Sequence, residues 1–244
     1  MTLFITSSPF DTETAFPRFW EKNGFGERLR QALPENPKVV FAASDPEDHE
    51  AMCRFGADVF CALGSSGIYP ESYTVLDGQN REDAADIVPF SDLLVLAGGH
   101  VPTQAAFFEE IGLGSLLQDY PGVILGISAG SMNMAKTVYA QPEEKGEALD
   151  PEYPRFFPGL DLTEVNILPH YNQWKDGTLD GLKLMEEITL PDSRGCCFFV
   201  LNDGSYFYQD EETLLLCGES RLARDGVLTP LTQDGDVLDM AEFE

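Results

Sequence analysis

Val123-Ile124-Leu125-Gly126-Ile127-Ser128-Ala129-Gly130-Ser131-Met132-Asn133 is the stretch on which the fold turns. Pro121-Gly122 opens it as a turn, and Val123 to Leu125 is a short apolar run rich in β-branched residues, the mark of a strand buried on both faces of a parallel sheet. The character then changes at once. Gly126 to Gly130 fits G-x-S-x-G, and Ser131 to Tyr139 has the small and helix-tolerant residues expected of a helix start. In a strand-turn-helix of this kind the central serine sits in a strained turn, glycines on both sides keep the backbone clear of its neighbours, and the helix N-terminus favours developing negative charge. Ser128 is thereby placed as a candidate nucleophile. The pattern alone is weak, since a glycine-rich strand-to-helix turn can match it without any chemistry.

Outward from the elbow, the chain alternates strands and helices. Expected strands are Leu3 to Thr6, Lys38 to Ala43, Tyr73 to Leu76 and Asp92 to Ala97, with helices over Phe16 to Gln31, Pro46 to about Leu63 and Thr103 to about Gln118. That order implies an α/β fold of three layers, α/β/α, with a mainly parallel central sheet whose strands carry sites at their carboxyl ends. Gly98-Gly99-His100, at the end of the fourth strand, should therefore face the same crevice as Ser128. Beyond the elbow, Gln141 to Pro158 is loop-like, Val165 to Leu168 a short strand before Pro169-His170, and Gly177 to Ile188 helical by pattern. Cys196 to Leu201, Ser205 to Gln209 and Thr213 to Cys217 read as antiparallel strands near the C-terminus, with a turn at Asn202-Asp203-Gly204. The 244 residues suit a single large α/β domain.

Composition excludes some classes. With 42 acidic against 15 basic residues the formal charge is −27, which opposes nucleic acid and anionic membrane surfaces. No stretch approaches a membrane span, and no signal peptide is evident. Five cysteines, odd in number and without zinc-ligand spacing, point to a reducing cytoplasm, and neither metal nor cofactor is expected.

A serine needs a base, and the chain has three histidines. His49 falls within a helix, His100 suits a substrate contact, and His170, held by Pro169 at a strand end, is the expected base. The acid that would orient it is open among Glu143, Glu144, Glu147, Asp176 and Asp192; Glu143 returns toward the site after one helix and the turn at Pro142. The N–H groups of Gly99 and Ala129 are natural oxyanion donors.

Gly98-Gly99, Gly126-Ile127-Ser128-Ala129-Gly130, the acidic region after it and Asn166-Ile167-Leu168-Pro169-His170-Tyr171 together resemble the peptidase E (aspartyl dipeptidase) family, related to cyanophycinase, on the flavodoxin-like, class I glutamine amidotransferase-like fold. The resemblance implies a serine-type exopeptidase acting on short peptides, with Ser128 as nucleophile, His170 as base, Glu143 as orienting acid, and Gly99 and Ala129 as the oxyanion hole. The chain departs from the family's aspartate-preferring members at His100, where they carry Asn, and beyond His170, where it offers Lys175 and Lys183 in place of an Arg-bearing segment. Expected partners are a short peptide substrate and, in a homodimer, a second copy of the chain. Two rivals stand beside this reading. An α/β-hydrolase esterase would carry its histidine later in the chain, and a non-catalytic amidotransferase-like binding domain would not be labelled at Ser128 by a serine-directed probe.

Overall fold

The computed structural model describes residues 1–243. Its central sheet begins with five parallel strands: β1 (Thr2–Thr6), β2 (Lys38–Ala42), β3 (Ser72–Leu76), β4 (Leu93–Leu96) and β5 (Val123–Ile127). The full order is β16-β13-β12-β1-β5-β4-β2-β3, in which β12 (Tyr206–Gln209), β13 (Leu214–Cys217) and β16 (Val237–Asp239) extend the β1 edge antiparallel. Every residue of β4 and β5 is buried, as their unbroken apolar runs require of strands covered on both faces.

The register shows what covers each face. Phe4, Leu125, Val95, Phe41 and Val75 lie opposite one another across β1, β5, β4, β2 and β3, so their side chains share a face. Onto it pack α1 (Phe25–Ala32) and α2 (His49–Ser65), joined by aromatic contacts running Phe41, Phe55, Phe10, Phe19, Phe25 and Phe4, with centroids 5.3 to 6.0 Å apart. The short α3 (Ala84–Ile87) leads toward β4; α4 (Val101–Glu110) and α5 (Leu113–Leu116) lead toward β5, and α6 (Ala129–Met132) follows it. Gly130 of α6 lies against Leu96 on the opposite face, so helices flank both sides of the sheet.

Several elements differ from expectation. The first helix starts late, because Asp11 to Trp20 forms a loop closed by a Phe10–Phe19 bridge. Gly112, at φ +65°, breaks the expected helix 103–118 into α4 and α5. The helix after the elbow ends at Met132, and β6 (Thr137–Tyr139) pairs with β7 (Phe156–Pro158), where β-branched and aromatic residues favour strand. Gly177 to Ile188 is a hairpin of β9 (Thr178–Leu179) and β10 (Leu182–Lys183) followed by a π-helical turn from Leu184. A second sheet of four strands, β15-β14-β11-β8, gathers β8 (Ile167–Leu168), β11 (Cys197–Leu201), β14 (Ser220–Arg224) and β15 (Val227–Thr232). Among the described residues no helix is long and apolar enough to cross a membrane.

Candidate active site

Ser128 stands at the carboxyl end of β5 with φ 52° and ψ −111°, a strained conformation for a residue with a side chain. Its N–H holds it there by donating to the carbonyls of Thr6 (3.1 Å) and Ser7 (2.9 Å) at the end of β1. The flanking glycines are required by close approach: a Cβ on Gly126 would lie 2.6 Å from the Ser131 backbone, and one on Gly130 would lie 2.2 Å from the Leu96 carbonyl oxygen. Ser131 secures the turn further, its Oγ accepting from Thr6 N–H (2.8 Å) and donating to Thr6 O (2.9 Å).

His170 also has a positive φ, 59°, and its backbone N–H donates to Ser7 Oγ (2.8 Å). That anchorage turns the ring toward the elbow. Nε2 lies 2.9 Å from Ser128 Oγ and Nδ1 lies 2.7 Å from Asp203 Oδ1. Ser7 Oγ donates to the same Asp203 oxygen (2.8 Å), and Gln173 Nε2 donates to Oδ2 (2.7 Å). Burial alone would raise the Asp203 pKa, but the hydrogen bond and charge of His170, with Ser7 and Gln173, outweigh it and hold the carboxyl below its ordinary value. A carboxylate on Nδ1 favours the tautomer whose Nε2 lone pair faces the serine hydroxyl, the arrangement that a proton transfer from Oγ needs.

Ser128, His170 and Gly99 line one cavity of about 550 Å³, together with Met132, Glu143, Leu168, Gln173, Trp174, Leu179 and Leu184. The expected shared crevice is therefore present. Among the described residues the amide groups of Gly99 and Ala129 have no acceptor, and Ser44 Oγ steadies their wall by donating to Gly98 O (2.6 Å). A larger hollow of about 650 Å³, near Pro102, Phe108 and Leu160, contains none of these groups. Nor do any three His, Cys, Asp or Glu side chains among the described residues form a group able to hold a metal ion.

The acid is the main correction to the sequence reading. Glu143 lines the cavity, but the orienting position on His170 belongs to Asp203, because the β11–β12 turn delivers that residue to Nδ1. Desolvation pushes the Glu143 carboxyl up to about 7; His100 and His170 pull it down, while Glu147 and Glu144 push it up. The residue also keeps water-accessible surface, so no stability energy follows from that shift. Glu147 is used otherwise, accepting from Glu143 and Glu144 N–H (2.8 Å each) and meeting His100 Nε2 at 2.9 Å. Asp192 pairs with Arg155 (2.6 Å), and Asp176 faces Lys175 at the surface.

His100 was expected to touch substrate. It is absent from the cavity lining, and its two ring nitrogens meet Glu147 and Thr103 Oγ1, so it holds the segment that carries Glu143. His49 sits on α2 against Asp77. Lys175 and Lys183 do not line the cavity either; they lie 3.8 Å from Asp176 and Glu186 respectively.

The sequence pattern of Peptidase family S51 matches residues 21–216. The chain belongs to Peptidase family S51. It is thus a serine peptidase of the peptidase E family, and the S51 match spans both the elbow and the turn bearing Asp203. Its fold is similar to that of a peptidase from an acI-B1 Actinobacterium, with TM-score 0.64 and 14% identity over 98% of this chain and 96% of the other. It is also similar to a putative peptidase E protein from Listeria monocytogenes EGD-e, with TM-score 0.55 and 15% identity over 95% of this chain and 98% of the other. Comparison with curated protein sequences gives no match.

Proposed function

We propose that this S51 chain is an exopeptidase that removes the first residue of short peptides through a Ser128-His170-Asp203 triad. The observation that carries the reading is the unbroken run from Ser128 Oγ through both ring nitrogens of His170 to Asp203, with contacts of 2.9 and 2.7 Å. Ser128 Oγ attacks the scissile carbonyl as His170 Nε2 takes its proton, and the oxyanion is received by the N–H groups of Gly99 and Ala129. His170 then protonates the leaving amine, and water, activated by the same imidazole, hydrolyses the acyl-enzyme. Glu143 accepts the free α-ammonium of the substrate, which restricts attack to the first peptide bond. Support for that role comes from its place in the cavity lining and the absence of Lys and Arg from the same lining.

A fluorophosphonate probe, followed by peptide mapping, should label Ser128 in the wild type. Dipeptides with a free amine should be hydrolysed at least a hundredfold faster than their N-acetyl forms, about 2.7 kcal/mol of differential binding. No label, or equal rates on free and blocked peptides, would contradict the reading.

A further inference from the structure

The cavity beside Ser128 has a definite chemical bias. Met132 and Leu168, both 2% exposed, line it as packed parts of the core. Trp174, Leu179 and Leu184 are also in the lining and remain only half-buried, so apolar surface is left open beside Ser128. The Trp174 ring is fixed by its Nε1–H donating to Pro169 O (2.5 Å), and Leu179 comes from the β9–β10 hairpin, which among the described residues pairs with no other strand. The amide groups of the polar lining are already employed: Gln141 Nε2 donates to Thr189 Oγ1 (2.6 Å) and Gln173 Nε2 to Asp203.

We infer that this subsite takes a large neutral apolar side chain at the first position of the peptide, and that it rejects aspartate. The inference rests on the exopeptidase reading of the same site. Half-buried apolar surface gains most from a branched or aromatic side chain that removes it from water. A substrate carboxylate would instead enter a cavity with no Lys or Arg in its lining, beside Glu143, and would be desolvated without a charge-assisted partner. The chain's strong net negative charge adds to that penalty at low salt.

The test is kcat/KM for Leu-Ala, Met-Ala, Phe-Ala, Ala-Ala, Lys-Ala and Asp-Ala at fixed ionic strength, on enzyme whose active fraction is counted by fluorophosphonate labelling of Ser128. Leucine should lead aspartate by at least a hundredfold and alanine by about tenfold, in keeping with a side chain's worth of apolar burial. The Leu184→Arg variant should narrow the gap between leucine and aspartate at least tenfold, because it adds the missing cation. Labelled enzyme that hydrolyses Asp-Ala as fast as Leu-Ala would overturn the specificity while leaving the exopeptidase reading intact. Enzyme that is neither labelled nor active on any of the six peptides would overturn both. If Leu184→Arg fails to fold, Leu179→Arg makes the same comparison from the hairpin.

Discussion

Two carboxylates reach the cavity from different parts of the molecule, Asp203 from the tight turn between β11 and β12 and Glu143 from the loop between β6 and β7. The turn is rigidly tied. Gly204 N–H donates to Ser8 O, Ser205 N–H to Asn202 O, and the Asp203 carboxylate itself takes hydrogen bonds from three side chains. The loop is tied by acids rather than by strand pairing near Glu143: Glu147 accepts the N–H groups of Glu143 and Glu144, and Asp180 accepts those of Gly146 and Ala148. The bonds to His170, Ser7 and Gln173 outweigh burial and lower the pKa of Asp203, whereas desolvation raises that of Glu143. Environments that push two acids apart in this way suit different duties: a permanent charge that orients histidine, and a carboxyl that gains its charge when a cationic ligand arrives.

The largest expected effects lie on the rigid side. Ser128→Ala and His170→Ala should each lower kcat at least a thousandfold, and the double variant should be little worse than either, because the two groups act as a unit. Multiplying losses in steady-state assays of all three variants would break that picture. The loop should answer more weakly. Glu147→Ala removes the acceptor for two backbone amides and the partner of His100, so KM for a free-amine dipeptide should rise about tenfold while kcat changes less than about threefold. A fall in kcat with KM unchanged would place the loop in the chemistry.

The smallest effect is one of pH. The Glu143 carboxyl moves from an ordinary 4.5 to about 7 in the folded chain, so between those limits the folded state retains a proton that the unfolded chain has released. Its ability to hold an ammonium group therefore grows as pH rises through that window. In a pH profile of kcat/KM, Glu143→Gln should flatten part of the rise toward pH 7 that the wild type shows, a change of a few-fold. Identical profiles would remove Glu143 from substrate recognition.

Much of the rigid side was legible in the sequence. Apolar runs marked β1 to β5 to within a residue or two, the G-x-S-x-G pattern marked the elbow, and Pro169 marked the approach of His170. Asp203 was hidden in plain turn chemistry, since Asn-Asp-Gly between two strands is already explained as a hairpin turn. The missing step was topological. β12 pairs antiparallel with β1, with Tyr206 opposite Thr6, so the turn that precedes β12 must lie at the carboxyl end of β1, beside Ser128. Asp180-Gly181 and Asp225-Gly226 are hard to read from the sequence in a similar way. All four residues have positive φ, the signature of a type I′ hairpin, and they form the β9–β10 and β14–β15 connections. Helical spacing of apolar residues across Gly177 to Ile188 concealed the first of them.

The division of labour between the two acids is tested most directly by steady-state kinetics of Asp203→Asn and Glu143→Gln on one free-amine dipeptide. Asp203→Asn should lower kcat at least a hundredfold with little change in KM, because the imidazole loses the partner that sets its tautomer. Glu143→Gln should raise KM about tenfold and leave kcat within a few-fold of wild type. A severe loss of kcat in Glu143→Gln, with Asp203→Asn close to wild type, would contradict the assignment and return the orienting role to Glu143.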